Sequence, residues 1–250
     1  MLLRISNHLL CTLLLVTLLP SGAIGQETGR GFFPPQQAGG GGGPCFAMVQ
    51  LSLPELNSRL ASMGLEGLPQ WVSLFGGDGH FQVGHVMIGG FALGGSVERS
   101  IVSEGIVRRA SVNLSHSGLR LGYVKAVSRM KLTLGGSIGG GHMETRLCRF
   151  PQTARSWDDV WTYYESDFSE VVDAGDLDTS AELSGKYFFV EPFFSLRYWV
   201  IPLVAVDLGA FYRMGGIGAG KLKMNGESIP EAPKFDFSGM GVRVGIFLGF

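Results

Sequence analysis

The alternation of apolar and polar positions is clearest toward the end of the chain. Met240, Val242, Val244, Ile246 and Leu248 occupy every second position, and between them stand Gly241, Arg243, Gly245, Phe247 and Gly249. Successive side chains of an extended strand point to opposite faces, so one face here is wholly apolar and the other carries glycines and an arginine. The preceding stretch repeats this, with Val204, Val206, Leu208, Ala210, Tyr212 and Met214 set against Ala205, Asp207, Gly209, Phe211, Arg213 and Gly215. Val190, Pro192, Phe194, Leu196, Tyr198 and Val200 oppose Glu191, Phe193, Ser195, Arg197 and Trp199 in the same way. Met130, Leu132, Leu134, Gly136 and Ile138 oppose Lys131, Thr133, Gly135 and Ser137.

Extended over the chain, the pattern predicts eight antiparallel strands, near 44–53, 74–83, 86–97, 107–124, 129–150, 186–200, 203–223 and 234–250. Parity slips near 115–118 and 139–141, as glycine-associated bulges would make it do. The gaps at 84–85, 125–128 and 201–202 are short, whereas those at 54–73, 98–106, 151–185 and 224–233 are long. That is the rhythm of an up-and-down barrel with short turns at one end and long loops at the other. Ten strands would result, for instance, if the 151–185 loop hid a hairpin. Within the first long gap, Ser52 and Pro54 suit a helix start, and Leu53, Leu56, Leu60 and Met63 form a helical stripe; a short helix near 53–63 follows. Packing on its own barrel is the simplest role for it, with plugging, membrane-surface and partner-binding roles as alternatives.

What lies on each face decides between a soluble and a membrane sheet. A soluble sheet keeps apolar residues inward and charges outward on short strands. Here the strands are long, and the polar face holds small residues with isolated charges of both signs: Lys131, Glu191, Arg197, Asp207, Arg213 and Arg243. Such a face suits a narrow lumen with a cross-lumen charge network, and an aliphatic band with Tyr198, Tyr212 and Phe250 near its limits suits lipid. A secreted soluble β-barrel that binds a ligand is the alternative.

The ends and the composition sharpen this reading. Arg4, the apolar run Leu9 to Leu19 and the small residues Ala23 and Gly25 read as a secretory signal peptide over 1–25. No later segment is long and apolar enough for a membrane-spanning helix. Residues 26–43, with Pro34, Pro35 and Gly39 to Gly43, read as a flexible leader, and the barrel is expected over 44–250. The chain of 250 residues contains 39 Gly and is only 16% charged, against about 25% in ordinary soluble domains, which excludes a charged helical bundle. A net charge of −1 offers no basic field for nucleic acid. Cys45 and Cys148 lack metal-site spacing and read as unpaired thiols, one near each rim.

At this point the residues resemble a family. Val242, Val244, Ile246, Leu248 and Phe250, behind a signal peptide, are similar to the terminal assembly signal of small bacterial outer-membrane β-barrel proteins of the OmpA and OmpX type. The resemblance covers 44–250 and implies an outer-membrane address, with outer-membrane lipid and the barrel-assembly machinery as partners.

Candidate chemistry is sparse. The 151–185 loop carries nine acids and one base, and Trp157, Asp158, Asp159, Trp161, Tyr163 and Tyr164 are its candidate surface contacts for an extracellular ligand. Asp173, Asp176 and Asp178 are possible ligands for a divalent cation such as calcium, although the spacing is not that of an EF-hand. Ser115, His116, Ser117 and Asn113 contain the side chains of a hydrolase site, and His142 and Glu144 share a strand face, but neighbours such as His116 and Ser117 point apart. His116 reads instead as an interfacial side chain, and Asp78-Gly79-His80 as a turn. The glycine runs at 135–141 and 215–220 lack the ending of a phosphate loop, so no cofactor is implied. The reading is a non-enzymatic outer-membrane barrel with a structural or surface-interaction role; a small channel and a membrane-embedded hydrolase are the alternatives.

Overall fold

The computed structural model describes residues 38–62, 64–103, 105–151 and 179–249. The segment expected to be a signal peptide, most of the expected leader and the acidic stretch 152–178 lie outside the described residues. Among the described residues, eleven strands form one antiparallel sheet: β1 (Ala38–Gln50), β2 (Trp71–Val83), β3 (Val86–Ser103), β4 (Ile106–Val127), β5 (Met130–Pro151), β6 (Thr179–Ile201), β7 (Val204–Ile217), β8 (Lys223–Met224), β9 (Glu227–Ser228), β10 (Phe235–Asp236) and β11 (Gly239–Gly249). Each of β1 to β7 pairs with its neighbour in sequence, β7 pairs with β11, and β11 pairs with β1. This closes a ring of eight strands. Followed once around the ring through Gln82, Met87, Gly122, Gly135, Phe193, Phe211 and Gly241, the register that starts at Gly39 returns to β1 at Val49. Such a stagger is the geometric companion of strands tilted to the barrel axis.

The strand ends depart from the sequence expectation in four places. β1 begins at Ala38, so Gly39 to Gly43 belong to a strand paired on both sides and not to the leader. A side chain has no room there: a Cβ on Gly41 would strike the Leu248 carbonyl and the Phe247 ring, and one on Gly43 the Ile246 carbonyl. β3 and β4 run on through 98–106 and reverse through Gly105, at φ +74°, so the expected long loop is a tall hairpin. β6 begins at Thr179, leaving a shorter gap after β5 than 151–185. β7 ends at Ile217 and β11 starts at Gly239, with the small β8–β9 hairpin between them turned by Asn225 and Gly226 at positive φ.

The expected bulges at 115–118 and 139–141 are absent. β4 keeps unbroken register with β3 and β5 through both regions, and the register shift in the β6–β7 pairing falls between Trp199 and Ile201. The apparent slip is chemical. Along β4 the lumen face passes from Ala110, Val112 and Leu114 to His116 and Arg120, while Ser115 and Ser117 lie on the outside. Apolar and polar residues therefore exchange faces at constant parity.

Helix α1 (Pro54–Ser62) crosses the long-loop end of the barrel. Leu51, Leu53, Leu56, Leu60, Leu65 and Leu68 are buried in one cluster with Ala47, Val49, Val72, Leu93, Val112, Met143 and Phe237 from the barrel interior. Leu53, Leu56 and Leu60 of the expected stripe thus pack on their own barrel and cap it, while Met63 lies outside the described residues. Asn57 locks the return segment, accepting from the Leu68 amide at 2.9 Å.

Candidate functional site

The inner face is layered. Nearest the long-loop end it is the apolar cluster under α1. Below lies a buried triad: Arg213 donates from Nε to Glu191 Oε1 at 2.7 Å and from its terminal nitrogen to His116 Nε2 at 3.0 Å. A guanidinium only donates, so His116 accepts and its ring is neutral. Beneath this, Arg120 bridges to Asp78 Oδ2 at 2.9 Å, Arg243 approaches the same oxygen at 3.5 Å, and Arg197 pairs with Asp207. The Arg197 guanidinium also donates to His80 Nε2 at 2.6 Å and lies 3.6 Å from the centroid of the Phe247 ring. At the short-turn end, Trp199 and Phe247 meet edge to face, and Lys131 lies over Trp199 and donates to Gln82 Oε1.

All six charged residues expected on the lumen face stand on it: Lys131, Glu191, Arg197, Asp207, Arg213 and Arg243. Sequence reasoning missed their partners Asp78, Arg120, His80 and His116. Asp78-Gly79-His80 is not a turn but the middle of β2, where Gly76, Asp78, His80 and Gln82 alternate inward against Phe75, Phe81 and Val83. That period-two signal was available. His116 is buried in the lumen instead of sitting at a membrane interface, because unbroken parity puts it on the face of Arg120. Cys45 lies midway along β1, opposite Gly76 and Gly245, higher than the rim position expected from a strand start at 44. Cys148 lies on β5 opposite Arg109, and both thiols are free.

The outer face is the reverse. On every strand of the ring a large apolar side chain is exposed, among them Met48, Phe75, Ile88, Leu121, Leu134, Phe194, Leu208 and Val244, at 37 to 68%. Tyr123, Tyr198 and Tyr212 are exposed with them. Above this belt the tall β3–β6 wall turns polar, where Arg109 meets Glu98 at 3.2 Å and Arg146 meets Glu144 at 2.7 Å. At the same end Ser238 hydrogen-bonds Asp236 through its side chain and, second, through its amide, and these bonds hold the Asp236 carboxyl below the usual range.

A hydrolase site is not assembled from the expected residues. Ser115 and Ser117 point outward and His116 inward, and Glu144 is engaged by Arg146. Among the described residues, no three His, Cys, Asp or Glu side chains converge to hold a metal ion. The surface contacts Trp157, Asp158, Asp159, Trp161, Tyr163 and Tyr164 and the cation candidates Asp173, Asp176 and Asp178 lie outside the described residues.

No protein-family model and no curated protein matches the chain. Among solved structures it is similar to Ail, the attachment invasion locus protein of Yersinia pestis, alone (9% identity, TM-score 0.42) and in complex with the heparin analogue sucrose octasulfate (8%, TM-score 0.40). Each match covers 86% of this chain and 100% of Ail. Neisserial surface protein A is similar at 13% identity and TM-score 0.36, over 86% of this chain and 98% of that protein. Both are small outer-membrane β-barrel proteins.

Proposed function

We propose that the protein is a non-conducting, non-enzymatic barrel of the outer membrane that acts through the surface at its long-loop end. The filled lumen carries this reading: ion pairs bridge its lower half, and α1 with its leucines fills the upper mouth. An interior packed in this way offers no path for solutes. The exposed belt is far larger than the apolar patches a soluble monomer tolerates, and it completes a circuit of the ring, as lipid contact demands. Lipid is therefore the partner of the belt, and the alternating residues Val242, Val244, Ile246 and Leu248 with Phe250 are the segment offered to the barrel-assembly machinery. The acidic, aromatic stretch 152–178 is the proposed contact for an extracellular ligand or a divalent cation.

The test combines two measurements on the mature protein refolded in detergent. Unboiled and boiled samples should migrate differently on a gel, and planar bilayers containing the protein should show no single-channel steps. Stable conductance steps would overturn the filled-lumen reading, and a protein soluble without detergent would overturn the membrane reading. Calcium titration by calorimetry checks the cation: no heat at millimolar calcium removes it.

A further inference from the structure

We propose that the lumen of this barrel binds one small monovalent anion between the guanidinium groups of Arg120, Arg197 and Arg243. These three arginines and two carboxylates, Asp78 and Asp207, form one layer, and all five are buried or nearly so, with side-chain exposures of 6 to 11%. Arginine stays protonated in proteins, so the layer carries three positive charges against two negative ones. His80 adds no charge, since its Nε2 accepts from Arg197. Glu191 is engaged with Arg213 in the layer above and does not make up the difference.

The surplus charge falls on Arg243. Arg197 has its own carboxylate and the Phe247 ring at 3.6 Å, and Arg120 has Asp78 at 2.9 Å and the Phe91 ring at 4.1 Å. Among the described residues, the one ion pair of Arg243 is with the Asp78 oxygen already taken by Arg120, at 3.5 Å. An unpaired charge enclosed by protein is costly, and it is normally answered by a counter-ion. Beside it the same side chains enclose a cavity of about 10 Å³, lined by Asp78, Arg120, Ser195, Arg197, Asp207 and Arg243 among others. Two donors of residues that line the cavity, Arg120 Nε and Arg197 Nε, are buried with no hydrogen-bond partner among the described residues. Asp207 Oδ1 also lacks one and needs a donor, which water and not an anion supplies. A single water would satisfy these atoms but leave the extra positive charge; an anion on the Arg120–Arg243 side answers the charge.

The test compares the refolded barrel in chloride and in gluconate, which is too large for the cavity, at one ionic strength. The readout is the temperature at which the folded gel band converts to the unfolded one. Anion binding to the folded state alone predicts a midpoint that rises roughly 3–6 °C for each tenfold increase in chloride above the dissociation constant. Arg243→Met leaves two arginines facing two carboxylates and should make the midpoint equal in the two salts. Arg109→Gln, on the outer wall, should keep the chloride dependence. In bromide-soaked crystals of the unaltered protein, anomalous scattering should mark the cavity; this stands even if the Arg243 variant fails to fold. Equal midpoints for the unaltered protein, with no anomalous peak, would assign the cavity to water and overturn the proposal. A chloride dependence that survives Arg243→Met would overturn it too. Loss of the gel shift under every condition would instead mean that no closed barrel formed, which separates failure of the barrel reading from failure of the anion site.

Discussion

Breaking the Arg213–Glu191 pair is the sharpest probe of whether the lumen is dry and packed. Arg213 is 1% exposed and Glu191 3%, and both Nε and a terminal nitrogen of the guanidinium reach Glu191 Oε1, at 2.7 and 2.6 Å. Replacing either partner with methionine leaves the other as an isolated buried charge, which costs about 3–5 kcal/mol. Replacing both removes the two charges together, and apolar substitutes of similar volume are neutral or stabilising by about 1–4 kcal/mol. Against this gain stands His116 Nε2, which loses its donor at a cost of about 1–3 kcal/mol. The double variant should therefore lie within about 3 kcal/mol of the parent, although the single losses sum to roughly 6–10 kcal/mol. Urea unfolding in lipid vesicles, followed by tryptophan fluorescence, measures all four corners of the cycle. Additive losses in the double variant would refute the reasoning, because they would mean that the two charges are stabilised independently. Losses below about 1 kcal/mol in both single variants would indicate a hydrated lumen and favour the channel reading.

The remaining expectations concern the two faces of the sheet. Val244→Arg, in the middle of the outward band from Met240 to Leu248, should cost about 2–4 kcal/mol in bilayer-folded protein; an unchanged folding equilibrium would mean that this face does not meet lipid. Gly139→Val should abolish refolding measured by the gel shift, since even a Cβ there meets the Ser117 carbonyl and the Phe189 ring, whereas Gly136→Ala, where nothing lies within 4 Å, should refold normally. Equal yields from the two would contradict the packed lumen. A maleimide should label Cys148 in the folded protein and reach Cys45, 2% exposed, only after unfolding. Fast labelling of Cys45 would show that water or reagent enters the barrel.

Strand identity was legible where alternation was strong. In β6, β7 and β11 the residues facing in and out follow directly from period two, and the charges placed on the inner face stand there. The helix was legible too, because the spacing of Leu53, Leu56 and Leu60 is helical and sits between two strand patterns. The difficulties arose where local composition pointed away from tertiary context. Gly39 to Gly43 look unfoldable in isolation, yet β2 pairs with all five, β11 joins from Gly41, and at Gly41 to Gly43 no room is left for side chains. Ser115 to Gly118 look like a slip in parity, yet the lumen itself changes from apolar to charged with depth, so a polar residue is inward at one level and outward at another. Alternation divides a strand into two faces, and closure of the ring settles which of them is enclosed. The tertiary arrangement also brings Asp78 to Arg120, His116 to Arg213 and His80 to Arg197, across separations of 42, 97 and 117 residues. No local pattern encodes those meetings; they follow from strand order and register, which fix who stands across a lumen only wide enough for side chains.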